Sequence, residues 1–273
     1  MTIWDLEYTV HSTLDMFVYI IIFLLGLALG SFLNSWIWRH HENVRVSRGR
    51  SMCPCCRRQL RWYENIPVVS YLFLGGKCRT CKSIIPQHFV WVELIIALLF
   101  VFMTYYHVEI ASQFRIYIFH RDILFVSILA VIFIYDYLYK EIPSLIIWVG
   151  LVAAIFFNFF VLDKNLFSLL IGTLVGGSFF LIQYLISKGR WIGGGDVRLG
   201  FMIGLMLGWP NVLYALLIAY VVGAVFSLGL LVIKKSKYNL SSEIPFGTFL
   251  TVGTLCALFH AEQVINWYLG LLN

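Results

Sequence analysis

The stretch Trp191-Ile192-Gly193-Gly194-Gly195-Asp196-Val197-Arg198-Leu199 places an acid directly after three glycines, at the start of a strongly apolar segment. A carboxylate at the edge of a membrane is costly, and by default it indicates a functional site. Because glycine removes side-chain bulk, Gly193, Gly194 and Gly195 would let an extended substrate approach Asp196 closely. The competing interpretation is an interhelical turn in which Asp196 caps the next helix. A second acid at a similar depth would favour the functional interpretation.

The composition around this stretch is that of an all-α polytopic membrane protein. Hydrophobic residues make up 60% of the chain, charged residues 12%, and the mean hydropathy is +0.85, which is unlike an ordinary soluble domain. Its apolar runs are long enough to cross a hydrocarbon core of about 30 Å. They predict about eight transmembrane helices, the sixth of them short, at 17–38, 88–106, 122–138, 144–162, 166–186, 197–209, 212–233 and 246–269. A small polar lobe is predicted between helices 1 and 2.

Basic residues predict the orientation of these helices. The segments 39–87, 139–143, 187–196 and 234–245 carry 16 of the 20 Lys and Arg residues, while the segments on the opposite side carry three. The positive-inside rule then places the N-terminus outside and the polar lobe in the cytoplasm. The net charge of +6 therefore reports membrane orientation, and we expect the lipid bilayer, and no nucleic acid, as a partner.

The polar lobe contains two C-x-x-C knuckles, Cys53-Pro54-Cys55-Cys56 and, after 21 intervening residues, Cys78-Arg79-Thr80-Cys81. This spacing is close to that of structural zinc ribbons. Disulfides are the alternative, but a cytosolic location keeps thiols reduced. We therefore expect a structural Zn²⁺ bound by Cys53, Cys56, Cys78 and Cys81, with Cys55 as an alternative ligand in the first knuckle.

Small residues and an acid mark the two helices that flank the lobe. Gly26 and Gly30 form a small-xxx-small face on which another helix can pack closely. Glu93 lies just inside the second predicted span, where an acid must face protein or water. It is either a helix-packing acid paired with a lobe arginine or a functional group.

The second acid is Asp136, which closes the third predicted span on the same side from which Asp196 opens the sixth. Two nearby carboxylates can share one proton, because their simultaneous ionisation is opposed by repulsion and desolvation. One then activates a water as general base while its protonated partner polarises a peptide carbonyl, as in an aspartyl protease. The alternative is two ion pairs at the membrane edge, Asp136 with Lys140 and Asp196 with Arg198 or Arg190.

These residues together resemble a known family. Gly193-Gly194-Gly195-Asp196 is similar to the GxGD motif of intramembrane aspartyl proteases. The whole set of motifs resembles the type IV prepilin peptidases. Besides the GxGD-like motif it comprises Asp136 with Ile142-Pro143, the paired C-x-x-C knuckles, Gly30-Ser31-Phe32-Leu33-Asn34 and Ile244-Pro245-Phe246-Gly247. The cysteine-rich lobe is typical of the branch that also transfers methyl groups. Four features depart from the pattern. Arg198 stands where Lys is usual, and Ser144 where an acidic or amide residue is common. Cys55 adds a thiol within the first knuckle, and Pro86-Gln87-His88-Phe89 replaces the more usual basic-aromatic-proline entry to the second span.

The resemblance implies a bifunctional enzyme of the bacterial cytoplasmic membrane. It would cleave the leader peptide of type IV prepilins or pseudopilins at the cytoplasmic face and then N-methylate the new N-terminal residue, commonly Phe, with S-adenosylmethionine. It implies that Asp136 and Asp196 are the peptidase dyad and that Gly193, Gly194 and Gly195 form the substrate approach loop. Gly76 and Glu93 match residues associated with methyl transfer.

The expected division has three parts: a first transmembrane helix in 1–38, a zinc-binding, methyltransferase-associated lobe in 39–87, and a bundle with the peptidase dyad in 88–273. The alternatives are a peptidase without methyl transfer, or a non-catalytic zinc-ribbon scaffold for pilus or secretion assembly. The two acids at one depth argue against a scaffold, which gains nothing from them. Because no inverted repeat is visible, the sequence does not favour a transporter. It carries no signal for the oligomeric state.

Overall fold

The computed structural model describes residues 3–45, 49–110, 115–233 and 245–272. The regular secondary structure of these residues is helical. They contain two isolated β-bridges and no β-strand. Ile244 and most of the predicted inner segment 234–245 lie outside the described residues. The chain forms two compact units, Met1–Arg115 and Ile116–Asn273.

The first unit is a pair of long helices joined by the polar lobe. Helix α1 spans Ile3–His41 and α3 spans His88–Tyr105, which continues as a π-helical turn, Tyr106–Ile110. The lobe between them contains a 3₁₀ turn, Trp62–Asn65, and a short helix α2, Val69–Phe73.

Two glycines of α1 let α3 approach closely. A Cβ atom on Gly26 would lie 2.5 Å from the Cα of Ala97, and one on Gly30 would lie 2.7 Å from the Cα of Glu93. Both distances are shorter than side chains tolerate, so only glycine permits this backbone contact. The predicted small-xxx-small packing face is therefore confirmed.

The second unit is a helical bundle with a continuous apolar core, formed by α4 Ile116–Tyr139, α5 Ser144–Ile155 with its π-helical continuation Phe156–Val161, α6 Leu166–Ser187, α7 Gly194–Leu207, α8 Asn211–Ile233 and α9 Phe246–Leu272. Phe125 and Leu129 of α4, Phe180 of α6 and Met202 of α7 are completely buried in this core. Helix α7 lies among α5, α6 and α9.

Glycines bring α6 and α7 into backbone contact. A Cβ atom on Gly176 would lie 2.5 Å from the carbonyl oxygen of Gly200, and one on Gly172 would lie 2.7 Å from the carbonyl oxygen of Gly204. The two helices run antiparallel along this seam. Their close approach fixes where the N-terminus of α7, with its glycines and Asp196, lies along α6.

The other end of α7 is tied to its neighbours by polar side chains. The Asn158 amide, fully buried, donates to the carbonyl oxygens of Leu205 and Met206 at 2.9 and 2.8 Å. The Trp209 N–H donates to the carbonyl oxygen of Ser168 at 3.0 Å. Carbonyls at a helix end lack intrahelical donors. The Asn158 amide therefore supplies the hydrogen-bond donors that these carbonyls of α7 would otherwise lack in an apolar environment.

The predicted all-α polytopic fold is confirmed. Seven helices among the described residues are long and apolar enough to cross a membrane, and α7, the predicted short helix, has 14 residues. Helix α3 packs on α1 and belongs to the first unit, although hydropathy alone grouped it with the bundle. The functional division at residues 38 and 87 stays a prediction.

Candidate functional site

Asp136 lies in the last turn of α4, with only 5% of its surface exposed. Its Oδ2 atom accepts the backbone N–H of Thr248, in the first turn of α9, at 2.9 Å. The first N–H groups of a helix lack intrahelical acceptors and carry a partial positive charge, so they favour an acid there. A Cβ atom on Gly247 would lie 2.8 Å from the same Oδ2, and only glycine leaves room for the carboxylate.

Asp196 lies in the first turn of α7 and is half-buried. Its Oδ2 atom accepts the backbone N–H of Gly193 at 3.1 Å. The N-cap of α7 is Gly193, and Asp196 is the third residue of the helix, whose carboxylate accepts the N–H of the N-cap. This contact uses one oxygen. The Oδ1 atom makes no hydrogen bond with the described residues, so the carboxylate keeps an oxygen for a water or a substrate group.

Ile142 lies between the helix ends that carry the two acids. A Cβ atom on Gly195, beside Asp196, would lie 3.2 Å from the Cβ of Ile142, and one on Gly247, beside Asp136, would lie 3.1 Å from its Cδ1. The helix ends that carry the two acids therefore lie on either side of one side chain, Ile142.

Arg198, two residues after Asp196, is directed away from it. Its guanidinium donates to the hydroxyl of Ser144 and to the carbonyl oxygen of Gly194. Two of the residues that depart from the family pattern, Arg198 of α7 and Ser144 of α5, are therefore hydrogen-bonded to each other. The sequence proposed Arg198 as a partner for Asp196, and these contacts do not support that pairing.

The four predicted zinc ligands form one cluster in the lobe. The Sγ atoms of Cys53, Cys56, Cys78 and Cys81 all lie within 4.8 Å of one another, with 3.8 Å between those of Cys53 and Cys81. Four thiolates around Zn²⁺ at about 2.3 Å would place their sulfurs about 3.8 Å apart. The donor set and its spacing therefore fit a closed tetrahedral zinc site.

The two knuckles repeat the same backbone pattern. The N–H of Cys53 donates to the carbonyl of Arg58, and the N–H of Cys78 donates to that of Ser83, both at 2.9 Å. The residue after each second cysteine, Arg57 or Lys82, has a φ of 57°. In this repeat Cys55 corresponds to Thr80, which separates it from the four clustered thiols.

Polar neighbours adjust the thiols and acids of the lobe. Hydrogen bonds from Ser83 lower the pKa of Cys81 to about 6, which favours the thiolate that a metal requires. The guanidinium of Arg58 holds the Glu64 carboxylate with two hydrogen bonds, at 2.8 and 3.0 Å, and lowers its pKa. These contacts stabilise the lobe around the first knuckle.

Glu93 and Gly76, the other two predicted site residues, lie in the first unit. Glu93 is buried in α3 and accepts the backbone N–H of Val68 at 2.7 Å. Gly76 has a φ of 67°, and a Cβ atom there would lie 2.9 Å from the hydroxyl of Tyr71. Glu93 and Tyr71 line one cavity. Glu93 makes no ion pair with any described residue, which removes the predicted arginine partner.

Sequence reasoning missed the groups that hold the acids in place. Thr248, Gly247 and Ile142 are defined only by the packing of α4 and α9 and by the link between α4 and α5. The sequence motifs Ile142-Pro143 and Ile244-Pro245-Phe246-Gly247 included Ile142 and Gly247 without giving either residue a role. A glycine at the second position of a predicted helix, close to an acid in the fold, was the available signal.

Comparisons with known proteins agree with this geometry. The family model described as the bacterial peptidase A24 N-terminal domain matches residues 24–107, and that of the type IV leader peptidase family matches residues 123–228. A prepilin leader peptidase/N-methyltransferase of Pseudomonas aeruginosa is 32% identical, over 90% of this chain and 91% of the relative. Proteins of the same name from Legionella pneumophila and Bacillus subtilis are each 28% identical, over 93% and 91% of this chain and 95% and 97% of the relatives. No solved structure is significantly similar to the chain.

Proposed function

We propose, from the premise that this chain belongs to the prepilin leader peptidase/N-methyltransferase family, that it cleaves prepilin leaders and methylates the new N-terminus. The observation that carries the peptidase half is the meeting of Asp136 and Asp196 at one end of the second unit. Each acid is held through one oxygen by a backbone N–H. Beside each acid lies a glycine, Gly247 or Gly195, at which an added Cβ atom would come within 3.2 Å of Ile142.

The proposed cleavage is hydrolysis by general acid–base catalysis. One aspartate takes a proton from a water, whose oxygen bonds to the carbonyl carbon of the scissile peptide. The other, protonated aspartate donates its proton to the carbonyl oxygen. The tetrahedral intermediate then breaks its C–N bond as the first aspartate gives the proton taken from water to the amine nitrogen, while the second aspartate takes back a proton from a hydroxyl of the intermediate. The leader, with its new carboxyl group, and the mature amine then separate.

Glycines would give the substrate its access to these acids. Gly193 and Gly194 are exposed at the start of α7, beside Asp196. Because they have no side chains, an extended peptide can approach the carboxylate closely. We assign the approach loop to Gly193, Gly194 and Gly195 on this basis.

The lobe would contribute a structural zinc and the methyl-transfer half of the reaction. Cys53, Cys56, Cys78 and Cys81 would hold Zn²⁺, which would stabilise a lobe too small to fold around a large core. S-adenosylmethionine would supply the methyl group, and Gly76 and Glu93 would belong to that function. In this division 1–38 is the first membrane helix, 39–87 the lobe and 88–273 the peptidase bundle.

The location follows from the same family and from charge. The chain is a multi-pass membrane protein with seven candidate spans among its described residues. The distribution of Lys and Arg supports an outside N-terminus, with the lobe and the two aspartates on the cytoplasmic side of the bacterial inner membrane. The substrate would be a type IV prepilin or pseudopilin.

The experiment incubates the purified protein with a prepilin, with and without S-adenosylmethionine, and measures the product masses. Leader removal in both samples, with one added methyl group only where the donor is present, is the expected result. Cleavage without methylation would show that the protein is a peptidase without methyltransferase activity. An unchanged prepilin would favour the scaffold alternative.

A further inference from the structure

A cavity in the first unit lies between α1, α3 and the lobe. Aromatic side chains line part of its wall, namely Trp38 of α1, Tyr71 of α2 and Phe89 of α3. Ser35 and Ser70 add hydroxyl groups, and Glu93 adds a carboxylate. Mostly apolar walls with a few convergent polar groups are typical of small-molecule sites.

Glu93 brings a buried carboxyl group to this cavity without an ion pair among the described residues. Only 8% of its surface is exposed, and Oε2 accepts the Val68 N–H at 2.7 Å. The other acid of the cavity, Glu64, is paired with Arg58. Arg79, the second cation of the lining, donates to the hydroxyl of Tyr63, so neither arginine forms an ion pair with Glu93. An ionised carboxylate buried without a cation is costly. The cavity therefore suits a ligand that brings a positive charge.

A strained turn holds this carboxylate in place. Val68 has φ 60° and ψ −50°, and the Val69 N–H donates to the Pro67 carbonyl at 2.5 Å. This is the classic γ-turn, which is rare, and a β-branched residue adopts it only at a cost. The turn directs the Val68 N–H to Glu93, so the strained backbone fixes the position of the Glu93 carboxyl group in the cavity.

We propose that this cavity is the binding site of the methyl donor, with Glu93 facing the positive sulfur. The proposal rests on the methyl transfer proposed above. S-adenosylmethionine combines an aromatic adenine, which packs against ring faces, with a sulfonium cation, which carboxylates and aromatic rings attract. Gly76 fits the same assignment, because a larger residue there would push Tyr71, which lines the cavity.

The test measures ligand binding to the purified full chain by equilibrium dialysis, with S-adenosylmethionine and with S-adenosylhomocysteine, whose sulfur is uncharged. Ser70→Phe would fill the cavity, and its exposed neighbour in α2 provides the matched control Val69→Phe. We expect Ser70→Phe to weaken both ligands at least about tenfold, or about 1.4 kcal/mol, and Val69→Phe to bind as the wild type does. Glu93→Gln should weaken the sulfonium ligand about tenfold more than the uncharged one.

Ser35→Phe, from the α1 wall, repeats the filling test if Ser70→Phe does not fold, as judged by its thermal unfolding. Unchanged donor affinity in the filled variants would overturn the assignment, and the methyl transfer would stand if the wild type still methylated its substrate. Equal weakening of both ligands by Glu93→Gln would overturn the pairing with sulfur. A wild-type protein that neither binds the donor nor methylates would overturn the site and the methyl transfer together.

Discussion

At the scale of single residues, Asp136 and Asp196 each use one oxygen to accept a backbone N–H at a helix terminus. Asn keeps that shape and that acceptor but cannot take a proton from water or share one with its partner. We expect Asp136→Asn and Asp196→Asn each to lower the rate of leader cleavage at least about 100-fold. The rate is followed by the mass of the cleaved prepilin.

The control for these variants is their thermal unfolding, which should remain close to that of the wild type because the N–H acceptors are retained. Strong residual cleavage by either folded variant would contradict the dyad.

The four clustered thiols lead to a prediction about metal content. We expect about one zinc per chain, as a closed four-thiolate site requires, measured by elemental analysis of the purified protein. Ser at Cys53, Cys56, Cys78 or Cys81 should lower the zinc content and destabilise the lobe.

Cys55→Ser is the matched control, because Cys55 occupies the position of Thr80 in the repeated knuckle. Loss of zinc in Cys55→Ser, together with its retention in Cys53→Ser, would show that the ligand set is wrong.

Residue types at motif spacing were predictable, and their partners were not. The sequence identified Asp136, Asp196 and the two knuckles, because membrane acids and C-x-x-C pairs are rare and carry specific chemistry. It could not show that Arg198 contacts Ser144 or that Thr248 holds Asp136. Those contacts join positions 54 and 112 residues apart, and only the packing of the helices creates them.

At the scale of helices, the glycine seam between α6 and α7 positions Asp196. Gly176→Ala would place a methyl group about 2.5 Å from the carbonyl oxygen of Gly200, so the helices must separate. Overpacking of this kind typically costs about 1–3 kcal/mol. We expect a lower unfolding midpoint in detergent and slower leader cleavage, since α7 carries Asp196.

Gly229→Ala in α8 is the matched control, because a Cβ atom there meets nothing within 4 Å. It makes the same chemical change without the clash and should leave both measurements nearly unaltered. If the two variants behaved alike, the seam would not be what positions α7.

At the scale of the whole molecule, two compact units carry the two proposed activities. Gly76→Val would push Tyr71 in the first unit and leave both aspartates of the second unit untouched. We therefore expect this variant to lower the rate of methylation more than that of cleavage, with both read from the same product masses. Asp196→Asn, in turn, should still methylate a synthetic mature N-terminus that begins with Phe.

Gly75→Val is the control that distinguishes the clash with Tyr71 at position 76 from the backbone strain of a valine at positive φ. Gly75 also has a positive φ, of 59°, but a Cβ atom there meets nothing within 4 Å. It should retain more methylation than Gly76→Val. An equal loss of both activities in Gly76→Val and Asp196→Asn would argue for a single shared site.

Hydropathy predicted the helices of the whole molecule but not their grouping. All eight predicted spans correspond to helices, with ends that differ by a few residues at most positions. The boundary between units falls after α3, at Arg115, because Gly26 and Gly30 pack that helix on α1. Apolar runs report exposure to lipid, and they carry little information about which neighbour a helix chooses.

The short length of α7 has a consequence for how the chain enters the membrane. Its 14 residues extend about 21 Å, short of a hydrocarbon core of about 30 Å, and they include Asp196 and Arg198. Such a segment should insert poorly into the membrane on its own. We therefore expect α6 and α7 to insert together, as a helical hairpin packed along the glycines of both helices. Glycosylation mapping of truncated chains would detect this, because α7 without α6 should fail to integrate.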